Sequence, residues 1–175
     1  GLVDGHIHTS QQLLRGRLLD EKPVIWKRIN VPFEARLTEG TSTLSAQLAA
    51  LEMIRSGTGG FVAAGGQYVD ALAEGYKQAG LRGRLTYMTN DNRARPGALR
   101  VDKEAALERL LALHAELERD GQGRLRAYFS VTALTAASEA LIRLVFGTAA
   151  EKGIPAEVHM NEYASEVYDF IERYG

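Results

Sequence analysis

The sequence predicts an α/β fold of the (β/α)8 barrel type, with about the first five β/α units present. Three observations predict it. Short apolar runs with strand character alternate with helical patterns along the whole chain, which implies a parallel sheet covered by helices. His6 and His8 end the first apolar run and His159 ends the fifth, and strand C-terminal ends are where barrels keep their functional residues. The alternative, an open doubly wound sheet, needs a glycine-rich phosphate loop straight after a strand, whereas GTGG at 57–60 precedes one.

The elements follow in order. Residues 2–8 are the first strand. Residues 11–38 are a long connection with a helical piece around 25–35, interrupted by Pro23 and Pro32. Residues 41–56 are a helix with Thr41, Ser42 and Thr43 as candidate caps, a stripe of Leu44, Leu48, Leu51 and Arg55, and Gly57 as its stop. Residues 61–64 are a short strand, and 69–79 a helix ended by Gly80. Residues 82–88 alternate as a strand, and 90–100 are a polar loop holding Pro96 and Gly97. A helix over 103–120 closes at Gly121, and a strand covers 125–131. A helix over 138–152 starts on Ser138 and stops at Gly153. The strand 154–159 and a final helix over 164–174 complete the fifth unit.

Composition narrows the function classes. The chain has 175 residues, enough to bury one ordinary core, and is 45% hydrophobic and 25% charged. A formal net charge of −1 gives no electrostatic reason to expect a nucleic acid or a membrane surface as partner. With no cysteine there are no disulfides and no thiolate ligands, so a metal would bind through His, Asp, Glu or water. No apolar run approaches the roughly 20 residues of a membrane span, and the start lacks signal-peptide character, so the expected compartment is the cytoplasm.

The opening GLVDGHIHTS carries the chemistry. Side chains alternate along a strand, so His6 and His8 point the same way, about 6–7 Å apart along it at roughly 3.3 Å per residue. Two neutral imidazoles so placed reach one metal ion at about 2.0–2.1 Å each. The competing reading is a pair of buried, hydrogen-bonded core histidines. His159, in AEVHMNEY, is the third candidate. Glu162, three residues on, reads either as a carboxylate at the same mouth or as a helix N-terminal acid favoured by the dipole. Either Gln11 or its neighbour Gln12 could face a ligand, and both could be surface amides. Trp26 would wall a flat ring or belong to the core, and His114 reads as structural or exposed. Arg84, Tyr87, Asn90 and Asp91 fall near the expected mouth without assigned roles, and the Glu/Arg-rich helix over 103–120 reads as a solvated face.

GLVDGHIHTSQQLLRG, with His6, His8, Gln11 and LLRG at 13–16, then EARLTEG, LAALEMIRSGTGGFV and EVHMNE, resembles the amidohydrolase superfamily over essentially the whole chain. More narrowly, it resembles the aminohydrolases and chlorohydrolases acting on nitrogen heterocycles. The resemblance implies a barrel with one divalent metal at its C-terminal face, zinc first and iron second. It implies that His6, His8 and His159 are ligands, that Glu162 shuttles protons and touches substrate, and that Gln11 contacts substrate. It implies hydrolytic deamination of a purine-, pterin-, cytosine- or triazine-like ring by a metal-activated water. Residues 1–175 then form one partial domain holding strands 1–5. The family's sixth-strand histidine, eighth-strand aspartate and small flanking β-domain are absent from the sequence. Where the family often has a polar residue on strand two and a histidine on strand four, this chain reads FVAAGG and SVTALTAAS.

Three function classes compete. The first is a metal-dependent hydrolase of non-peptide C–N bonds with a small heterocyclic substrate. The second is a catalytically incomplete barrel that pairs as a homo-oligomer or with the missing barrel half, because a five-strand arc leaves two sheet edges open. The third is a non-catalytic metal-binding module.

Overall fold

The computed structural model describes residues 1–18, 21–22, 24–92, 97–120 and 122–175. Strands β1 (Leu2–Ile7), β2 (Thr58–Ala63), β3 (Arg82–Leu85) and β4 (Leu125–Ala127) form one sheet, with every pairing parallel. Strands β5 (Phe129–Ala133) and β6 (Ala156–His159) form a second parallel pair. The order is sequential, β1-β2-β3-β4 and then β5-β6. A doubly wound sheet reverses its strand order at a switch point. A barrel does not, so this is an arc of a (β/α) barrel.

The strand expected over 125–131 is split at Tyr128. Its N–H still donates to Leu85 O at 3.0 Å, so the chain bends there and passes from one sheet to the other without leaving the array. The Tyr128 hydroxyl donates to Ala63 O at 2.7 Å, reaching back to β2 from the bend. Periodicity gives no sign of this break, because Leu125, Ala127, Phe129 and Val131 keep the same alternation through it.

Parallel neighbours need crossover connections, and helices supply them. They are α1 (Glu39–Ser56), α2 (Val69–Ala79), α3 (Lys103–Arg119), α4 (Glu139–Lys152) and α5 (Ala164–Tyr174). The α1 cap is Thr38, upstream of the three expected residues: Thr41 N–H donates to Thr38 Oγ1 at 3.3 Å, and Thr38 N–H donates to Thr41 Oγ1 at 2.8 Å. Gly57, Gly80 and Gly153 end their helices at φ of 78°, 72° and 64°, as expected of left-handed C-caps. Pro23, Pro96 and Gly121, which the sequence reading uses as breakers, lie outside the described residues.

The leucine stripe of α1 is not the face that the helix buries. Leu44 and Leu51 are each 53% exposed, while Ser42, Ser45, Ala46, Ala49, Ala50 and Met53 are buried. The buried face is the small one because α1 lies tight against α2. A β-carbon added at Gly75 would fall 2.7 Å from Ala46 Cβ and 3.0 Å from Thr43 O, so larger side chains would hold the helices apart.

Between β1 and α1 the chain forms a 3-10 turn over Thr9–Leu14, tied down by Ser45 Oγ donating to Thr9 O at 2.6 Å and by a 2.7 Å hydrogen bond between the Thr9 and Tyr76 hydroxyls. The helical piece expected around 25–35 is present as a π-turn, Trp26–Asn30, running into Val31–Glu34. Pro32 does not interrupt it. The wide turn ends with Val31 N–H bonded to Trp26 O, immediately before the residue that has no N–H to extend it.

The core fills the space between strands and helices, with Leu85, Leu110, Phe129, Val131, Leu141 and Val145 fully buried. Phe61 stacks on Tyr76 with ring centroids 4.0 Å apart and covers Gly83 of β3. A β-carbon at Gly83 would fall 2.3 Å from Phe61 Cζ, inside any real contact. We expect Gly83→Ala to destabilise the chain by about 1–3 kcal/mol, the usual cost of overpacking. That lowers the thermal midpoint by about 2–12 °C at roughly 2–4 °C per kcal/mol, and a calorimetric scan reads it. Among the described residues no helix is long and apolar enough to cross a membrane.

Candidate metal centre

β1 delivers His6 and, one residue past its end, His8; the last residue of β6 is His159. The alternation read from sequence holds, and the three rings converge. Nε2 of His6 lies 3.2 Å from Nε2 of His8, and Nε2 of His159 lies 3.1 Å from both. Three nitrogens at this separation share a point about 2.0–2.1 Å from each of them, the zinc–imidazole distance. Among the described residues this is the group of metal-ligating side chains close enough to share one ion.

Proton accounting shows that a cation fits. His159 Nδ1 lies 2.6 Å from Thr132 O, and a carbonyl only accepts, so Nδ1 carries the hydrogen and Nε2 is bare. His6 Nδ1 lies 2.9 Å from Glu157 Oε1, and a carboxylate likewise accepts, so its Nε2 is bare too. With neutral rings, the form that binds a metal, two bare nitrogens face each other at 3.1 Å with no hydrogen between them. His8 does not relieve that pair: it is half-buried, and its pKa is pushed down to about 4, first by desolvation and then by its neighbours His159 and His6. A neutral His8 has one N–H to place and cannot stand between the other two. A cation among the three lone pairs removes the repulsion.

Beside the cluster is a pocket of about 100 Å3. His8 and His159 line it together with Gln11, Trp26, Asn30, Glu34, Met88, Thr132 and Glu162. Of the two candidate amides, Gln11 faces this pocket, while Gln12 Nε2 is turned to donate to His8 O at 3.2 Å. Gln11 is held by a chain of bonds that fixes its orientation. The buried Glu34 Oε1 accepts from Gln11 Nε2 and from Ser10 Oγ, each at 3.0 Å, and Gln11 Oε1 accepts from Asn30 Nδ2 at 3.0 Å. Because the carboxylate accepts, both amides are oriented by it, and Asn30 is left with Oδ1 as an acceptor that is buried without a partner. The Thr132 hydroxyl is likewise buried and unpartnered at the pocket wall. Trp26 serves both alternatives, lining the pocket while packing on the small cluster of Val31, Met88 and Leu99.

Glu162 reaches the pocket because Asn161 adopts φ of 60° and turns the chain after β6. Asn is among the residues that tolerate that conformation. The other flagged positions sit elsewhere. Tyr87 donates to Asp70 at 2.9 Å under the Arg109 guanidinium, in a larger cleft of about 660 Å3 that contains none of the histidines. Asp91 accepts from Ser138 N–H and Oγ at the start of α4, and Arg84 reaches Ala127 O at 3.4 Å. His114 is half-buried within α3, with Nδ1 unpartnered.

Sequence reading missed Glu34, Asn30, Thr132 and Glu157. For Glu157 a signal exists: residues 157 and 159 share one face of β6 by the same period of two that pairs His6 with His8. For Glu34, in the helical piece before α1, no local pattern marks a buried acid.

A sequential arc of parallel β/α units, with three histidine nitrogens converging at its C-terminal mouth, defines a barrel protein with a metal-centre arrangement of side chains. The chain belongs to the amidohydrolase family, whose family model matches residues 1–175. It is 34% identical over 179 aligned residues to a 5-methylthioadenosine/S-adenosylhomocysteine deaminase of Haloarcula marismortui, covering 100% of this chain and 40% of that protein. Among solved structures it is similar to an adenosine deaminase from Xanthomonas campestris with bound zinc, at 28% identity and a TM-score of 0.88, over 100% of this chain and 39% of that one. Its fold also matches a guanine deaminase from C. acetobutylicum at a TM-score of 0.86 and 17% identity, covering 100% of this chain and 43% of that one. The chain thus spans about 40% of the length of the curated relatives it matches.

Proposed function

We propose that this chain carries the metal-binding part of a hydrolytic deaminase that releases ammonia from a purine-, pterin-, cytosine- or triazine-like ring. The observation that carries the reading is the meeting of three Nε2 atoms beside a pocket walled by Gln11, Trp26 and Glu162. The deaminase names of its relatives support it, and they make a 6-aminopurine nucleoside the first substrate to test. His6, His8 and His159 hold one divalent ion, zinc first and iron second. When bound, such an ion brings the pKa of water down towards about 7 and makes it a nucleophile at neutral pH.

The chain's own residues do the rest. Thr132 O and Glu157 fix the hydrogens of His159 and His6 on Nδ1, so both Nε2 lone pairs would be free to hold the ion. Trp26 offers a flat apolar wall to a planar ring. Gln11 and the acceptor on Asn30 address its polar edge, their orientation fixed through Glu34. Glu162 takes the proton from water and gives it to the departing amine. The test is ammonia release by zinc-loaded protein over a panel of aminopurine nucleosides, guanine, pterins, cytosine and triazines. Release is expected from at least one member, stopping on chelation and returning with zinc. Silence across the panel, in protein with its barrel closed and zinc bound, contradicts it.

A second reading concerns assembly. Among the described residues β1 pairs only with β2 and β6 only with β5, and large apolar side chains are exposed on or next to these strands: Leu2 and Val3 of β1 at 68% and 74%, and Met160, directly after β6, at 52%. Exposed strand edges and apolar patches mark surfaces that another chain segment covers. We expect the 175-residue chain alone to elute as a homo-oligomer on size-exclusion chromatography, or to need the remainder of a barrel for solubility. A stable monomer contradicts this.

A further inference from the structure

We propose that Glu157 is a positioning residue for the metal ligand His6 and sets the ion affinity of the centre. The inference rests on the metal reading above and adds a residue to it. Glu157 Oε1 lies 2.9 Å from His6 Nδ1. The two residues belong to β6 and β1, which are not neighbours in either sheet, so no backbone pairing fixes one relative to the other. By the period of two, Glu157 stands on the face of β6 that carries His159. One strand thus supplies a ligand to the ion and an orienting group to a second ligand.

His6 is the ligand that most needs such a partner. It is exposed, while His8 and His159 are half-buried, so packing restrains its ring least. The three ligands are also oriented differently. His159 donates to a neutral carbonyl, and His8 Nδ1 has no partner among the described residues. Only for His6 is the partner an acid. A charged acceptor makes a hydrogen bond roughly twice as strong as a neutral one. It also raises the basicity of the far nitrogen and places a negative charge behind a ligand of a dication. Removal of such a partner costs about 10–100-fold in metal affinity.

The experiment is a competition titration of cobalt(II) against a chromophoric chelator, using the whole 175-residue chain, with the cobalt ligand-field spectrum recorded at saturation. The variants are Glu157→Gln, which keeps the shape and a neutral acceptor, and Glu157→Leu, which removes the acceptor. We expect Gln to weaken cobalt binding about 10-fold with little spectral change. We expect Leu to weaken it about 100-fold and to shift the band as the His6 ring reorients. Circular dichroism checks the fold, and the near-isosteric Gln variant keeps the test independent of packing. Wild-type affinity in both variants overturns this inference alone. Failure of the wild-type chain to bind cobalt overturns the metal reading and the inference together.

Discussion

Replacing Glu162 by glutamine lowers the rate of ammonia release by about 100- to 10,000-fold, while zinc content stays at one ion per chain. The magnitude is that of a positioned general acid–base. The separation of the two readouts follows from geometry. Glu162 lines the pocket on the turn after β6 but is not among the side chains whose donor atoms converge. Glutamine keeps the size of the side chain and can still hydrogen-bond, but it loses the charge and the ability to take up and return a proton at neutral pH. A steady-state assay on the responsive ring, with metal measured on the same sample, checks both. Full activity in the variant would return Glu162 to the other reading, an acid that only favours the start of α5. Loss of zinc together with activity would make it a ligand instead.

Replacing His159 by alanine lowers zinc affinity by about 100- to 1,000-fold. A structural zinc centre is worth about 10–16 kcal/mol in all, and a quarter share for one of four ligands is about 2.5–4 kcal/mol. His159 is the member that brings β6 to the cluster, since His6 and His8 both come from the β1 segment. Its loss leaves two nitrogens, 3.2 Å apart, from a single segment. The chain contains an internal control, because its fourth histidine, His114, lies within α3 outside the cluster. His114→Ala is expected to bind zinc as the parent chain does. Competition with a chelator of known affinity reads both variants. Equal affinities for His159→Ala and His114→Ala would contradict the assignment.

Much of this was legible in the residues. The alternation of apolar runs and helical patterns predicts parallel strands joined by helices, and that is the array found. The position of His6, His8 and His159 at strand ends predicts one mouth, and there the three rings meet. What the pattern does not carry is long-range packing. The leucines of α1 mark an apolar stripe, yet the helix turns its alanines and serines inward, because the near approach of Gly75 leaves room for nothing larger. The strand break at Tyr128 comes with bonds to Leu85 and Ala63, both distant in sequence. The acids around the site divide in the same way. Glu162 is found by its spacing from His159. Glu34 is found only through its tertiary partners, Ser10 and Gln11, more than twenty residues earlier.

The central claim is that three imidazoles of this chain share one ion. X-ray absorption at the zinc edge, on the chain loaded with one equivalent, tests it most directly. The expected spectrum shows nearest neighbours that are mostly nitrogen at about 2.0–2.1 Å, with multiple-scattering features of three imidazoles, one of which disappears in each single alanine variant of His6, His8 and His159. A shell of oxygen without imidazole scattering, or a spectrum unchanged in all three variants, would contradict it.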